Sequence, residues 1–344
     1  MGAALALSER GRGRTFPNPN VGCVIVKDDR VVGRGWTQPG GRPHAEGMAL
    51  LEAGDAARGA TAFVTLEPCA HPSPRGPACA PSLAEAGIKR VVAALGDPDP
   101  RTCGRGFHAL RSAGVVVIED VCADDARRAM AGFLTRQHFG RPHVTLKLAV
   151  SLDGCIALAN GESRWITGEA ARAHVHVERA RHDAILVGRG TFEADAPKLD
   201  VRLAGLEERS PLRVLLSTQS RHPREGGGPS PALTHLREDE QMDSRLRGND
   251  EWVLINTLDK IATLPANHIL VEGGAQTAAS FLKADLVDRL VLYTAPILIG
   301  GKPALDDLGL TELSLAHGRW DLTESRMLGV DRLQVYERTA CLPA

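Results

Sequence analysis

The sequence predicts an α/β protein made of two domains. At 344 residues the chain is longer than one hydrophobic core usually supports. Strand-type runs alternate with helical patterns in the first half, which is typical of a three-layer α/β domain. A mostly polar helix is expected over 123–141; it stops at Gly140-Arg141-Pro142, and an apolar strand then begins. We therefore expect one domain over 1–141 and a second over 142–340.

Local patterns place the elements of the first domain. Two strand-type runs on either side of Asp28-Asp29-Arg30 predict a hairpin. Helices are expected from His44 onward and after Cys79, where Pro81 suits a first helical turn. Other helices are expected at 1–8 and 106–113, and the expected strands are 21–27, 31–35, 62–66, 88–95 and 115–118.

Three potential metal ligands stand at the ends of these predicted elements. His44 begins a helix, Cys69 follows the strand over 62–66, and Cys79 precedes another helix. One imidazole and two thiolates suit tetrahedral zinc, and a catalytic site leaves the fourth position to water. A thiolate at a helix N-terminus is also favoured by the helix dipole. The spacing predicts a catalytic Zn²⁺ site.

Glu46 is the expected catalytic residue of this site. It follows His44 by two residues, so it can reach a zinc-activated water without being a ligand and can carry its proton. A His-x-Glu pattern followed by Pro-Cys is the layout of the zinc-dependent base deaminases. The alternative is a chance pattern with two ordinary buried thiols, since free cysteine is often buried.

Three further residues are candidates for substrate contact in the first domain. Asn18 offers a donor and an acceptor to a pyrimidine edge, although an asparagine in a Pro-Asn-Pro-Asn run suits a turn equally well. Nine residues separate Cys69 from Cys79 and form a proline-rich loop. This loop carries His71 and Arg75, which suit a polar or anionic substrate.

Composition disfavours several other classes of protein. A formal net charge of −1 and a pI near 6.9 provide no basic field for nucleic acid. No apolar run approaches the ~20 residues that span a bilayer. The seven cysteines are scattered and odd in number, which argues against a disulfide framework and favours the cytoplasm.

The sequence closely resembles the bifunctional deaminase-reductase family of riboflavin biosynthesis. The resemblance covers nearly the whole chain and is carried by PNPNVG at 17–22, HAE at 44–46, TLEPCAH at 65–71 and DPDP at 97–100. It implies a cytidine-deaminase-like first domain and a second domain similar to dihydrofolate reductase, with NADPH as hydride donor. It also favours the substrate role of Asn18. A phosphoribosyl pyrimidine substrate and a homo-oligomer are expected, with no nucleic acid or membrane partner.

A glycine turn in the second half suits a nucleotide. The apolar run 269–271 leads into Glu272-Gly273-Gly274, and a helical pattern follows. Glycines allow close approach of a ligand, and helix N-terminal amides bind phosphate oxygens. The alternative is a plain tight turn between strand and helix. No GxGxxG motif follows a strand, which disfavours a Rossmann domain.

The resemblance also implies site residues in the second domain. Those implied to contact NADPH are Ala149, Trp165, Thr191, Asp195, Thr218 and Gly274. Those implied to contact substrate are Ser163, Arg179, Leu199, Arg202 and Glu272. Arginine forks suit a ribose phosphate, although each alone is more often a solvated surface charge.

Residues 221–250 are foreign to this pattern. They are rich in charge, glycine and proline, with few apolar residues to bury, so their burial cannot offset the entropy of ordering them. We expect a disordered insertion within the second domain.

The sequence therefore predicts two consecutive reactions of riboflavin biosynthesis: hydrolytic deamination of a phosphoribosylated diaminopyrimidine, then NADPH reduction of its ribosyl group to ribityl. One alternative is a deaminase of another nucleobase or of RNA adenosine, with a non-catalytic nucleotide-binding second half. The other is a nucleotide-sensing protein in which zinc is only structural.

Overall fold

The computed structural model describes residues 1–71, 73–217, 236–238 and 252–339. These residues fall into two compact units, which divide the chain into Met1–Gly140 and Arg141–Ala344. Thr218 lies outside the described residues, as does the predicted insertion over 221–250 except for a three-residue strand. No helix in the described ranges is long and apolar enough to cross a bilayer.

The first unit contains a five-stranded sheet. Its strands are β1 (Gly22–Lys27), β2 (Arg30–Trp36), β3 (Thr61–Val64), β4 (Arg90–Ala93) and β5 (Val116–Ile118), in the spatial order β2-β1-β3-β4-β5. β1 pairs antiparallel with β2 and β3, whereas β3, β4 and β5 are parallel. The predicted hairpin is thus present, and the parallel strands end at one edge of the sheet.

The helices of the first unit are α1 (Gly2–Ser8), α2 (Ala45–Ala53), α3 (Cys79–Glu85), α4 (Arg105–Ser112), α5 (Ala123–Ala129) and α6 (Ala131–Phe139). Helix α2 packs directly on the hairpin because two glycines leave room for it. A Cβ added at Gly35 would lie 2.1 Å from the carbonyl oxygen of Ala45, and one at Gly33 would lie 2.2 Å from that of Ala49. This contact fixes the helix whose first turn carries the predicted catalytic residue.

The single helix predicted over 123–141 is wrong. The chain leaves helical geometry at Met130, with φ −108° and ψ 18°, and forms α5 and α6 instead. Met130 is fully buried, and the first turns of α6 are buried as well. The polar composition of the segment gives no sign of this break. Met130 is buried by contacts with the rest of the fold, and the sequence of the segment alone does not reveal those contacts.

The second unit contains a nine-stranded sheet with spatial order β10-β11-β9-β8-β12-β6-β13-β16-β15, and a separate β14-β7 pair. The strands are β6 (His143–Val150), β7 (Cys155–Ala157), β8 (Ala184–Gly188), β9 (Leu212–Leu216), β10 (Leu236–Glu238), β11 (Trp252–Ile255), β12 (His268–Val271), β13 (Arg289–Thr294), β14 (Lys302–Pro303), β15 (Trp320–Leu328) and β16 (Asp331–Arg338). Along the spatial order, every neighbouring pair from β10 through to β13 is parallel. Strand β16 runs antiparallel to both of its neighbours, β13 and β15.

In the described part of the second unit, three α-helices accompany this sheet: α7 (Glu169–Ala180), α8 (Arg189–Asp195) and α9 (Ala275–Lys283). The central strands β8 and β12 are buried throughout, as expected of parallel strands covered on both faces. Helix α8 begins directly after β8, and three residues separate β12 from α9. The carboxyl ends of two neighbouring parallel strands therefore lie beside two helix N-termini, which is where α/β sheets bind ligands.

Candidate active sites

The structure brings His44, Cys69 and Cys79 together. His44 is the N-cap of α2, Cys69 follows β3, and Cys79 is the first residue of α3. The imidazole Nδ1 lies 3.3 Å from the Cys79 sulfur and 3.6 Å from the Cys69 sulfur. One ligand atom from each residue lies within 4.8 Å of the others.

These three atoms fit a zinc ion. With bonds of about 2.3 Å to sulfur and about 2.0 Å to nitrogen, tetrahedral zinc separates neighbouring ligand atoms by roughly 3.5–3.8 Å. The two distances from the imidazole are close to that range. A hydrogen bond from Cys79 and the nearby His44 lower the pKa of the Cys69 thiol, so this pair of cysteines readily provides a thiolate.

Glu46 lies in the first turn of α2 with its side chain buried. Its carboxyl group hydrogen-bonds the thiol of Cys79, which places it next to the potential ligands without being one of the three. Burial raises the pKa of Glu46, and the charge of His44 opposes that rise. A carboxyl group whose pKa is raised toward neutrality is suited to accept and release a proton.

Asn18 contacts the imidazole. Its amide nitrogen donates to the carbonyl oxygen of Gly41 at 3.1 Å and lies 3.0 Å from His44 Nε2. Because a metal on Nδ1 requires the proton on Nε2, the Asn18 side chain stands beside the N–H of the ring that would bind the metal. Asn18, the predicted substrate residue, is thus also placed to orient the imidazole of His44 for metal binding.

His71 and Arg75 stay close to the site but contact protein groups. The imidazole Nδ1 of His71 lies 3.2 Å from the hydroxyl of Thr102. The Arg75 guanidinium donates to the carbonyl oxygen of Gly40 at 2.7 Å, which joins the loop between the cysteines to the loop before α2. Their predicted substrate contacts remain predictions.

Two carboxyl groups of this unit were not predicted as functional residues. Glu67 was noted only within the TLEPCAH motif, yet its buried carboxylate accepts four backbone hydrogen bonds. Asp97 was noted only within the DPDP motif, yet it is buried and its pKa is raised to about 7, first by burial and then by the neighbouring charges of Asp99, Glu67 and Cys69. The burial and hydrogen bonds of Glu67 and Asp97 depend on contacts between distant segments. The sequence indicated these two residues only through the motifs that contain them.

In the second unit, Arg179 and Glu272 form a buried ion pair. The arginine Nε and Nη2 donate to the two carboxylate oxygens at 2.7 and 3.0 Å. The ammonium of Lys147, on β6, lies 3.8 Å from the same carboxylate. Burial disfavours the charge of Glu272, but Arg179 and Lys147 outweigh it and lower the pKa of Glu272 to about 2. Burial lowers the pKa of Lys147.

Of the other predicted substrate residues, Leu199 and Arg202 lie beside Asp200, which contacts Arg179. Leu199 is buried with a left-handed φ of 55°, next to Asp200, whose carbonyl oxygen accepts from Arg179 at 3.1 Å. Arg202 is exposed, with its Nε 3.4 Å from the Asp200 carboxylate. Ser163 is half-buried in the segment before α7.

Two of the predicted cofactor residues meet at the start of α9. The backbone N–H of Gly274, the N-cap of that helix, donates to the hydroxyl of Thr191 on α8 at 3.1 Å. A Cβ added at Gly274 would meet only that hydroxyl, at 3.5 Å, whereas one at Gly273 would clash with Thr277 at 2.5 Å. The turn therefore offers an accessible helix N-terminus, which fits the phosphates of NADPH.

The remaining predicted cofactor residues are more dispersed. Ala149 lies on β6, and Trp165 is 67% exposed with the Arg172 guanidinium 4.8 Å from its ring centre. The carboxylate of Asp195 lies 3.4 Å from Arg164. An exposed aromatic face is available for stacking, as a dinucleotide requires.

Two family models match the chain. The zinc-binding region of the cytidine and deoxycytidylate deaminases matches residues 1–95, and the RibD C-terminal domain matches residues 142–333. RibD from Escherichia coli is 42% identical over 328 residues, which is 87% of this chain and 88% of that protein. The chain belongs to the RibD family. RibD from Aquifex aeolicus is 39% identical over 324 residues, 91% of this chain and 90% of the relative.

Solved RibD structures match the whole fold. A structure of Acinetobacter baumannii RibD aligns with a TM-score of 0.83 at 36% identity, over 98% of this chain and 97% of that one. A diaminohydroxyphosphoribosylaminopyrimidine deaminase/5-amino-6-(5-phosphoribosylamino)uracil reductase from Thermotoga maritima also has a TM-score of 0.83, at 32% identity and with the same two coverages. The predicted fold class is confirmed.

Membership of the RibD family settles the general activity. The chain is a bifunctional enzyme of riboflavin biosynthesis, with a zinc-dependent deaminase half and an NADPH-dependent reductase half. It acts on a small molecule. The two alternative functions, a deaminase with a passenger domain and a structural-zinc sensor, are both disfavoured.

Proposed function

We propose that residues 1–141 deaminate a diaminopyrimidine that carries a phosphoribosylamino group, and that residues 142–340 reduce the ribosyl group of the product to ribityl. The Thermotoga maritima relative is named as a deaminase and a reductase of these two substrates. The observation that carries the proposal is the convergence of His44, Cys69 and Cys79 beside the buried carboxyl group of Glu46.

In the deaminase half, His44, Cys69 and Cys79 would hold zinc, which when bound acidifies water and acts as a Lewis acid. Glu46 accepts the proton of the attacking water and delivers it to the leaving amino nitrogen. Its raised pKa supports both halves of this transfer. Asn18, His71 and Arg75 line the approach of the pyrimidine and its phosphate.

In the reductase half, NADPH supplies the hydride. The start of α9 at Gly274, with Thr191 beside it, binds the diphosphate, and Ala149, Trp165 and Asp195 belong to the same cofactor site. The family resemblance adds Thr218, which lies outside the described residues. On the substrate side, Ser163, Arg179 and Arg202 hold the ribose phosphate, with Leu199 and Glu272 beside them.

Lys147 is the residue that we assign to proton delivery in this half. Reduction of the opened sugar needs a proton on the carbonyl oxygen as the hydride reaches carbon. The Lys147 ammonium is buried beside Glu272, and burial lowers its pKa, so it releases a proton more readily than a surface lysine.

We also propose a cytoplasmic homo-oligomer that binds no nucleic acid. The edge strand β15 exposes Leu322 and Met327, which suits burial against a second copy. The described cysteines are free thiols, as is usual in a reducing compartment. A formal net charge of −1 supports the absence of a nucleic-acid partner.

The test is to supply the phosphoribosylated diaminopyrimidine with and without NADPH and to identify the products by mass. We expect an amino group replaced by oxygen without NADPH, and two further hydrogens with it. Release of ammonia from cytidine or adenosine, with none from this substrate, would overturn the proposal in favour of another nucleobase deaminase.

A further inference from the structure

The carboxylate of Glu67 binds four backbone N–H groups of one segment. Oε1 accepts from Gly106 at 2.8 Å and from Phe107 at 3.1 Å. Oε2 accepts from Gly104 at 3.0 Å and from Asp97 at 3.2 Å. Both oxygens thus accept hydrogen bonds from the loop that follows β4 and from the first turn of α4. Glu67 is only 3% exposed.

The backbone of Glu67 is attached to the same region. Its N–H donates to the carbonyl oxygen of Leu95 at 2.8 Å, two residues after the end of β4. Helix α4 approaches so closely that a Cβ added at Gly106 would lie 2.0 Å from the carbonyl oxygen of Pro68. Pro68 directly precedes the zinc ligand Cys69, so Glu67 joins the ligand-bearing turn to the 97–107 segment within one unit.

The 97–107 segment reaches the zinc site. Asp97, at its start, is buried within electrostatic range of Cys69. Further along, the hydroxyl of Thr102 lies 3.2 Å from the imidazole of His71, two residues after Cys69. The segment therefore forms one wall beside the metal ligands, and its backbone position depends on the Glu67 carboxylate.

We propose that Glu67 is a positioning residue of the deaminase, which holds the 97–107 segment so that this segment contacts the pyrimidine substrate beside the zinc. The proposal rests on the deaminase activity proposed above. Glu67 does not contact the reacting atoms, because its two oxygens are occupied by backbone amides. Its removal should weaken substrate binding in the ground state and in the transition state alike, which raises KM and leaves kcat nearly unchanged.

Glu67→Gln is the direct test. The amide keeps the size of the side chain but turns one acceptor into a donor, which then faces two backbone N–H groups. We expect zinc to stay bound and KM for the phosphoribosylated diaminopyrimidine to rise by about 10–100-fold, since small misplacements of a binding wall have effects of that size. Reductase turnover, measured on the deaminated substrate with the same preparation, should not change.

A matched control and a second variant distinguish a positioning role of Glu67 from a general effect of the substitution. Glu85→Gln makes the same chemical change at an exposed position of α3 and should behave as wild type. Gly106→Ala keeps the carboxylate but forces α4 away from Pro68, and it should also raise KM with zinc retained.

Three results would overturn the proposal: a wild-type KM in Glu67→Gln, loss of zinc in proportion to activity, or loss of the thermal transition of the deaminase unit in both variants. The last two would show that Glu67 only maintains the zinc site or the fold. Failure of the wild-type enzyme to deaminate this substrate would instead refute the proposed function, so the two failures are distinguishable.

Discussion

Glu272→Gln should destabilise the second unit, because it leaves two buried cations without their carboxylate. Arg179 donates two hydrogen bonds to Glu272, and Lys147 lies 3.8 Å from it. The Glu272 side chain is only 9% exposed, so water screens these charges weakly. Removal of one member of a buried ion pair costs on the order of 3–5 kcal/mol.

The pKa of Glu272 gives a second measure of this effect. It falls from 4.5 to about 2 in the folded unit. At ~1.4 kcal/mol for each pKa unit, the ionised form contributes roughly 3 kcal/mol to the free energy of unfolding. Because the folded pKa is the lower one, this contribution is complete above about pH 4.5 and is lost as the pH falls toward 2.

The assay is urea unfolding followed by tryptophan fluorescence, since Trp165, Trp252 and Trp320 lie in the second unit and only Trp36 lies in the first. At pH 7 the variant should lose about 3 kcal/mol, and its difference from wild type should narrow below pH 4.5. The control is Glu193→Gln, which breaks an exposed ion pair with Arg189 and should cost at most about 0.5 kcal/mol. Equal stability of Glu272→Gln and wild type at pH 7 would show that the Glu272 carboxylate does not stabilise the two buried cations.

Three further outcomes can be measured independently. Thr191→Val removes the acceptor for the Gly274 N–H and should raise KM for NADPH about tenfold without affecting ammonia release; an unchanged KM would remove Thr191 from the cofactor site. Gly22→Ala would place a Cβ 1.9 Å from the carbonyl oxygen of Ala4, so calorimetry should show a lower Tm for the first unit only. Chelation of zinc should stop deamination and spare the reductase, and added zinc should restore it.

The meeting of the three potential zinc ligands was predictable because the signal is local. His44, Cys69 and Cys79 each stand at an end of a helix or strand that a short pattern identifies, and the sheet then brings those ends together. Most predicted boundaries lie within two or three residues of the observed ones. The turn at 272–274 was likewise predictable from an apolar run that ends in two glycines.

Contacts between distant segments were not predictable. Arg179 and Glu272 were both expected near substrate, but nothing in the sequence indicates that residues 93 positions apart form an ion pair. The four hydrogen bonds of Glu67 reach residues 30 to 40 positions away for the same reason. Arg75 is a further example, since its hydrogen bond to the Gly40 carbonyl oxygen depends on how two loops meet.

In the proposed deamination, Glu46 moves the proton beside a zinc held by one imidazole and two thiolates. The most direct measurement is zinc content together with ammonia release for Glu46→Gln and wild type. We expect one zinc per chain in both proteins and an activity that falls by about 10²–10⁴-fold in the variant. Wild-type ammonia release from the variant, or a wild-type enzyme that deaminates without any zinc, would contradict the claim.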